Sequence, residues 1–155
     1  QILSRLTDRQ ILSVVDATGS LLSNVLPYHP FLIKPNNQEL GELFQTVLET
    51  DAEIIRCARQ LQADGARNVL VSMAAKGSIL LDESGTVHRL GVPKGTVKNS
   101  VGAGDSMVAG FLAGWLETGD YAYAHRMGAA TGSATAFSLG LAQKEAVETL
   151  LKSSF

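Results

Sequence analysis

The sequence predicts an α/β fold built around a mainly parallel sheet, and three observations support this prediction. Short apolar runs rich in β-branched residues alternate with longer segments in which apolar residues recur at helical spacing. Strands and helices that alternate in this way are typical of βαβ units. The chain has 155 residues, of which 45% are hydrophobic, so it is long enough to bury the core of one domain.

The first half of the chain supplies the predicted parallel strands. An amphipathic helix with Ile2, Leu3 and Leu6 leads into the first apolar run. Asn36 and Thr50 are each followed three residues later by glutamate, which is the pattern of a capping box at a helix start. The predicted strands are 11–15, 31–34 and 69–73. One helix is predicted at 21–26 and another from Thr50 to Gly65. A third helix is predicted after Asn36, with one apolar face formed by Leu40, Leu43, Phe44, Val47 and Leu48.

The second half begins with a hairpin and continues as helices. Strands at 77–82 and 86–92 flank the turn residues Glu83-Ser84-Gly85. Helices are predicted at 103–117, 121–137 and 143–152. The first two of these helices are dense in glycine and alanine, so we expect them to pack closely against each other.

Composition and charge exclude several classes of partner. The formal net charge is −2, whereas nucleic acids and anionic membranes are bound by surfaces with a surplus of lysine and arginine. The one cysteine, Cys57, lies on an apolar helix face and is interpreted as a core residue, and His29, His88 and His125 lack the spacing of metal ligands. No apolar run is long enough to span a bilayer and no signal peptide is found, so a cytoplasmic location is predicted.

The chain starts at Gln1 rather than at methionine, and the first helix is already under way there. We therefore expect the chain to be part of a larger protein. Removal of a methionine by processing is the alternative explanation.

A glycine-rich turn enters the helix predicted at 103–117. Gly102-Ala103-Gly104 precede Asp105, and the free N–H groups and positive dipole end of a helix start favour an anion. An acidic side chain at an anion site indicates phosphoryl transfer, with Asp105 facing the acceptor hydroxyl. The alternative is a structural turn in which Asp105 is a favourable first-turn acid. The pattern is neither a Walker loop, which ends in Gly-Lys-Ser/Thr, nor a dinucleotide-binding turn, which has a third glycine.

Polar residues follow the ends of the predicted parallel strands, namely Asp16, Lys34 with Asn36, and Ser72. Open parallel sheets bind ligands beyond the carboxyl ends of their strands. Asn36 and Glu39 offer hard oxygen ligands for Mg²⁺ or its bound waters, and Lys34 could reach a phosphate. The alternatives are a capping box for Asn36 and Glu39, and a lysine that extends to solvent at a strand end for Lys34.

Together these motifs resemble the ribokinase-like PfkB family of carbohydrate kinases, across most of the chain and in the family's order. The matching segments are Asn99-Ser-Val-Gly-Ala-Gly-Asp-Ser-Met-Val-Ala-Gly-Phe111 for the C-terminal signature, Lys34-Pro-Asn-Asn-Gln-Glu-Leu40 for the Asn-x-x-Glu segment, and Ser72-Met-Ala-Ala-Lys-Gly77 for the nucleotide loop. The signature and the segment Ala130-Thr-Gly-Ser-Ala-Thr-Ala-Phe137 are most similar to the 1-phosphofructokinase subfamily.

The resemblance implies a ribokinase-like sheet flanked by helices, of which residues 1–155 would form the C-terminal, nucleotide-binding part. It implies that Asp105 is the catalytic base beside an anion hole formed by Gly102, Ala103 and Gly104. The residues implied to bind ATP are Lys34, Ser72, Ala74, Gly77, Val97, Gly104 and Ser133, and those implied to organise Mg²⁺ are Asn36, Glu39 and Asp16.

The implied reaction is ATP-dependent phosphorylation of a hydroxyl on a sugar phosphate, with fructose 1-phosphate converted to fructose 1,6-bisphosphate. Tagatose 6-phosphate, fructose 6-phosphate and nucleosides are alternative acceptors, and an inactive nucleotide-binding fragment is the alternative for the chain in isolation. The family's N-terminal half, which carries most sugar contacts and a small β lid, is missing from this sequence, and Ala74 stands where many members have glycine. The resemblance implies that a homodimer of the larger protein, where one forms, uses that lid, and no nucleic-acid or membrane partner is expected.

Overall fold

The structure, a computed structural model, describes residues 2–9 and 11–154, which form two compact units. The first unit contains the described residues up to Met73 together with Ile79–Arg89. The second unit contains Ala74–Ser78 and the described residues from Leu90 onward. Gln1, on which the expectation about the chain start was based, lies outside the described residues.

Nearly all of a five-stranded sheet lies in the first unit. Its strands, in the same order in space as in the chain, are β1 (Val14–Val15), β2 (Leu32–Ile33), β3 (Asn68–Ser72), β4 (Ser78–Leu81) and β5 (Val87–Leu90). Strands β1 and β2 pair in parallel, as do β2 and β3, with Ile33 opposite Val69. A tight turn joins β4 to β5, and in it the Asp82 N–H donates to the Thr86 carbonyl at 3.0 Å. The predicted α/β class and the predicted parallel pairing are confirmed.

The helices follow the predicted order. They are α1 (Ile2–Asp8), α2 (Gly19–Val25), α3 (Asn37–Leu43), α4 (Asp51–Ala63), α5 (Ala103–Thr118), α6 (Tyr121–Ala136) and α7 (Lys144–Ser154), with single 3₁₀ turns at Leu26–Tyr28 and Ala74–Lys76. The helix predicted at 21–26 is observed as α2, which ends at Val25, and Pro27 lies inside the 3₁₀ turn that follows. Proline fits there because the first turn of a helix leaves its N–H groups unpaired in any case.

Several elements are shorter than predicted, and two of them also differ from the prediction in which residues they bury. The strand predicted at 11–15 pairs only at Val14 and Val15, and Ile11 and Leu12 are 49% and 44% exposed, so this run is not a fully buried strand. The helix after Asn36 was predicted to include Val47 on its buried face. That part of the prediction is wrong, because Gln45 adopts a φ of 52° and Val47 is 77% exposed. A left-handed residue ends helical hydrogen bonding, whatever the apolar pattern beyond it.

The core of the first unit lies between the sheet and helices α2, α3 and α4. Strand β3 is buried along almost its whole length, and the apolar face of α4 packs on it. Helix α4 begins at a reciprocal capping box between Thr50 and Glu53, as predicted, and Cys57 on its inner face is 4% exposed. The interpretation of Cys57 as a core residue is therefore confirmed.

The second unit is built on the close approach of α5 and α6. A Cβ added to Gly110 would lie 2.3 Å from the Thr131 hydroxyl, and one added to Gly128 would lie 2.8 Å from the Met107 carbonyl. These distances leave no room for a side chain at either position. The predicted close packing of the two small-residue helices is confirmed.

The part of the chain that the structure describes contains no helix that is both long and apolar enough to cross a membrane.

Asp82 anchors the turn between β4 and β5. It is 4% exposed, and its carboxylate accepts hydrogen bonds from the N–H groups of Ser84 and Thr86 and contacts His88 Nε2 at 2.8 Å. Burial acts to raise the pKa of Asp82, but the hydrogen bonds from Ser84, His88 and Thr86 outweigh it, so the pKa lies below its usual value.

This geometry predicts an acid-sensitive contribution to stability. Because the folded-state pKa of Asp82 is lowered, the stabilisation is present above the unfolded-state value of about 3.9 and is lost as the pH falls through the folded-state pKa. We expect Asp82→Asn to flatten the decline in unfolding free energy below about pH 4, and Ser84→Ala to reduce that decline in part. Urea unfolding across this pH range measures both effects, and an Asp82→Asn protein with the wild-type slope would contradict the assignment.

Candidate active site

The parallel strands deliver polar residues to their carboxyl ends in the first unit. Asp16 directly follows β1, Lys34 directly follows β2, and Ser72 is the last residue of β3. Asn36, two residues beyond Lys34, forms a parallel bridge with Ser72, and the Ser72 N–H donates to the Pro35 carbonyl at 3.2 Å. These residues therefore occupy one edge of the sheet, at the strand ends where the sequence places them.

Lys34 carries a buried positive charge to this edge. It is 7% exposed, and its Nζ lies 3.4 Å from Oδ2 of Asp16, whose side chain is 40% exposed. The alternative of a lysine that extends into solvent therefore does not describe it. A buried cation is costly unless it is paired, so Asp16 stabilises Lys34 in place.

Asn36 and Glu39 form a complete capping box at the start of α3. Asn36 Oδ1 accepts the Glu39 N–H and Glu39 Oε2 accepts the Asn36 N–H, both at 2.8 Å. The structural alternative for this pair is thus observed, and it occupies one oxygen of each side chain. Glu39 is only half-buried, and within residues 2–9 and 11–154 its second carboxylate oxygen forms no hydrogen bond.

The loop from Ser72 to Gly77 has unusual backbone geometry. Ala74 adopts a φ of 47°, in the left-handed region that favours glycine. Gly77 has a φ of 90°, and a Cβ added there would lie 2.0 Å from the Leu90 carbonyl oxygen. Gly77 is therefore required by the close approach of another backbone segment, whereas Ala74 keeps a strained conformation on the exposed side of the loop.

In the second unit, a left-handed residue directs the chain into α5. Gly102 has a φ of 78°, and a Cβ added to it would lie 3.3 Å from the Leu141 side chain. The Ala103 N–H donates to the Ser100 carbonyl at 3.2 Å, so one amide of the predicted anion hole is already engaged in the turn. Among the described residues, the N–H groups of Gly104 and Asp105 have no hydrogen-bond acceptor.

Asp105 presents its carboxylate in the first turn of α5. The residue is exposed, and its side chain forms no hydrogen bond or ion pair with any residue that the structure describes. An unengaged carboxylate beside two unengaged amides is suited to act on a bound group, because nothing in the turn neutralises either. Of the other predicted residues in this unit, Val97 is 63% exposed in the segment before the turn, and Ser133 is half-buried on α6.

The hydrogen bonds that hold this turn against α6 were not predicted from the sequence. Thr135 on α6 is 1% exposed and donates a hydrogen bond to Ser106 Oγ, the residue next to Asp105, at 2.9 Å. The carbonyl of Ala136 accepts the N–H groups of Lys98 and Asn99, which lie in the approach to the turn. The one signal available in the sequence was helical spacing, because Thr135 is three residues after Gly132 and so lies on the same face of α6. That face lies against the start of α5, since a Cβ added to Gly132 would lie 3.0 Å from the Ala103 carbonyl.

The predicted site residues thus form two groups, one in each unit. The first unit holds Asp16, Lys34, Asn36, Glu39 and Ser72, and the second holds Ala74, Gly77, Val97, Gly102, Ala103, Gly104, Asp105 and Ser133. Within the described residues, no three histidine, cysteine or acidic side chains are gathered in a way that could hold a metal ion. A few oxygen ligands suffice for Mg²⁺, which keeps several waters and binds substrate phosphates, so the free oxygen of Glu39 fits such an ion.

The comparisons with known proteins assign the family. Residues 3–147 match the family model described as pfkB family carbohydrate kinase. The chain belongs to this family. The three segments that carried the resemblance, 34–40, 72–77 and 99–111, all lie within the matched residues.

Two curated relatives show how much of a PfkB protein the chain represents. It is 45% identical to the 1-phosphofructokinase of Bacillus subtilis over 138 residues, which are 89% of this chain and 45% of the relative. It is 41% identical to the D-tagatose-1-phosphate kinase of Bacillus licheniformis over 130 residues, which are 83% of this chain and 42% of the relative. The chain therefore spans somewhat less than half the length of these kinases.

Solved structures place the PfkB chain in the ribokinase-like fold. Phosphofructokinase-2 from Escherichia coli in complex with potassium superimposes with a TM-score of 0.90 at 28% identity, over 98% of this chain and 50% of that one. Arabidopsis thaliana ribokinase superimposes with a TM-score of 0.83 at 24% identity, over 99% of this chain and 52% of that one. The predicted fold class is confirmed.

Because Ala74 has a left-handed backbone conformation, we expect its replacement by glycine to raise stability rather than lower it. Ala74→Gly removes a left-handed penalty of about 1–2 kcal/mol and adds an entropic cost of about 0.5–1 kcal/mol, so we expect a small net gain in unfolding free energy. The matched control is Ala75→Gly, since Ala75 is also exposed but has no positive φ. That control should lose stability by about 0.5–1 kcal/mol. Chemical denaturation of both variants measures the difference, and equal losses would show that Ala74 is unstrained.

Proposed function

We propose that the protein containing this chain transfers the γ-phosphoryl group of ATP to a hydroxyl of a sugar phosphate, with fructose 1-phosphate as the acceptor. The observation that carries the proposal is the free carboxylate of Asp105 beside the free amides of Gly104 and Asp105 at the start of α5. Membership of the pfkB family and the likeness to 1-phosphofructokinases support it.

Asp105 acts on the acceptor. Its carboxylate accepts a hydrogen bond from the attacking hydroxyl, orients the oxygen toward the γ-phosphorus and takes the proton as the new P–O bond forms. The bond between the γ-phosphorus and the β,γ-bridging oxygen breaks in the same step, and ADP leaves with that oxygen. The transition state of phosphoryl transfer is loose, so alignment and charge stabilisation matter more than early proton removal. A carboxylate that is not engaged by neighbouring side chains is free to turn toward a bound hydroxyl.

The start of α5 stabilises the transferred group. Backbone N–H groups and the positive end of the helix dipole favour the negative charge on the equatorial phosphoryl oxygens. Because the Ala103 N–H donates to Ser100, the donors of this anion hole are the amides of Gly104 and Asp105 rather than that of Ala103. Gly102 contributes the left-handed turn that exposes these amides.

The polar residues that follow the strand ends in the first unit bind the charged phosphates of the nucleotide and the metal ion. Lys34, held by Asp16, binds ATP phosphates, and the free oxygen of Glu39 binds Mg²⁺ or one of its waters. When bound, the ion neutralises charge on the phosphates. Asn36 positions Glu39 through the capping box. The nucleotide itself is contacted by Ser72, Ala74, Gly77, Val97 and Ser133. Asp16 as a direct metal ligand, the cytoplasmic location and the homodimer stay predictions.

A second acceptor is favoured by one comparison. The D-tagatose-1-phosphate kinase of Bacillus licheniformis is nearly as similar to this chain as the 1-phosphofructokinase of Bacillus subtilis. Initial rates with fructose 1-phosphate, tagatose 1-phosphate, tagatose 6-phosphate and fructose 6-phosphate, measured on the protein that contains this chain, rank the acceptors. A higher kcat/KM for any acceptor other than fructose 1-phosphate would overturn the acceptor assignment, and no phosphorylation of any of them would overturn the proposed function.

The chain in isolation is a separate case, in which nucleotide binding without catalysis is the alternative. Calorimetry with MgATP beside a kinase assay on the isolated chain distinguishes the two. Heat of binding without turnover supports the nucleotide-binding fragment.

Asp105→Asn tests the proposed base. We expect kcat in the protein that contains this chain to fall roughly 10²–10⁴-fold while ATP affinity stays near the wild-type value, because the amide cannot take the proton. Glu145→Gln is the control, because Glu145 is also an acid in the first turn of a helix, α7. It tests whether the loss of a first-turn negative charge by itself lowers kcat. Near-normal turnover of Asp105→Asn would remove Asp105 from its role.

Glu39→Gln tests the metal assignment, because glutamine can replace glutamate in a capping box but is a poor Mg²⁺ ligand. We expect the Mg²⁺ concentration for half-maximal activity to rise roughly 10-fold or more. Glu53→Gln alters the equivalent capping box of α4 and should leave the metal titration unchanged. Identical titrations for both variants would reduce Glu39 to a helix cap.

A further inference from the structure

A buried threonine connects α6 to the turn that carries Asp105. The Thr135 hydroxyl donates to Ser106 Oγ at 2.9 Å and accepts the Ala142 N–H at 3.1 Å. The residue is 1% exposed and lies in the last turn of α6. One hydroxyl therefore joins three segments of the second unit: α6, the first turn of α5 and the connection before α7.

The acceptor of this hydrogen bond is held at two points. The Ser106 N–H donates to the Gly102 carbonyl at 2.9 Å, and its hydroxyl receives the bond from Thr135. Ser106 is the next residue after Asp105, so a rotation of the first turn of α5 that moves the carboxylate must also break one of these contacts. The free amides of Gly104 and Asp105 belong to the same turn.

The second contact of the Thr135 hydroxyl steadies the other side of the turn. Ala142 follows Leu141, whose Cδ2 lies 3.3 Å from the position that a Cβ on Gly102 would occupy. By accepting the Ala142 N–H, Thr135 fixes the segment that packs on Gly102. The glycine that sets the turn and the serine that follows the acid are thus both tied to one side chain.

We propose that Thr135 is a positioning residue for phosphoryl transfer, which sets the orientation of Asp105 and of the adjacent amides through Ser106 and Ala142. The inference rests on the proposed kinase function. Thr135 touches neither substrate nor the reacting atoms. Misplacement of a catalytic group by about 1 Å can lower the rate of the chemical step roughly 10²-fold.

Thr135→Val is the deciding variant, because valine keeps the branched shape of threonine and replaces only the hydroxyl, with a methyl group that can neither donate nor accept a hydrogen bond. In the protein that contains this chain we expect kcat to fall roughly 10–100-fold, with the KM values for ATP and for the sugar phosphate within about twofold of wild type. Thr135→Ser keeps the hydroxyl and should restore kcat to within about threefold. Ser106→Ala removes the acceptor of the same hydrogen bond. The double variant Ser106→Ala with Thr135→Val should therefore have a kcat only slightly lower than that of either single variant.

The matched control is Thr131→Val, one helical turn earlier on α6. Within the described residues, the Thr131 hydroxyl donates to the Met127 carbonyl of its own helix, at 2.7 Å, and forms no hydrogen bond with the turn before α5. This control should lower the melting temperature by an amount similar to Thr135→Val while kcat stays at the wild-type value. Amide hydrogen exchange gives a readout independent of activity: Ala142 should exchange faster in Thr135→Val, and at the wild-type rate in Thr135→Ser and Thr131→Val.

The outcomes separate this inference from the proposed function. A wild-type protein that phosphorylates no sugar phosphate would overturn the proposed function, and this inference with it. An active wild-type protein whose Thr135→Val variant keeps its kcat would overturn the inference alone. Equal losses of kcat in Thr135→Val and Thr131→Val would assign Thr135 a packing role and would likewise overturn it.

Discussion

The position of the candidate catalytic turn depends on how closely α6 approaches α5. Glycines at 110, 128 and 132 put side-chain and backbone atoms of one helix where a Cβ of the other would stand. Interiors packed to this density transmit small displacements rather than absorb them. The first turn of α5 therefore has little freedom to rotate against α6, and the free amides that it presents are fixed by packing as much as by hydrogen bonds.

Much of the fold could be predicted from the sequence because the strong signals are local. The capping boxes at Asn36 and Thr50 and the apolar run of β3 each depend on residues within one element, and each is observed. The prediction was wrong at one place where it relied on periodicity alone. The apolar spacing that includes Val47 fits a longer helix, but the left-handed Gln45 ends α3 before that residue is reached. Conformation at a single residue overrides periodicity there.

The candidate site was predicted unevenly for the same reason. Glycines before an acid, and polar residues after apolar runs, can be recognised in the sequence itself. Hydrogen bonds between distant residues cannot be recognised in this way. Nothing near Thr135 indicates that its hydroxyl meets Ser106, 29 residues away in the chain. The sequence identified the chemical groups, and the fold decides which of them are free to act.

Gly77 limits how the loop that contains it can vary. The Leu90 carbonyl and the Gly91 backbone fill the space where any side chain at 77 would begin, and the positive φ disfavours every other residue type independently of that space. The exposed residues Ala75 and Lys76 have no positive φ, whereas Ala74, also exposed, shares the positive φ. Substitutions that change the chemistry of this loop are therefore confined to its outer three residues, while its anchor tolerates no replacement.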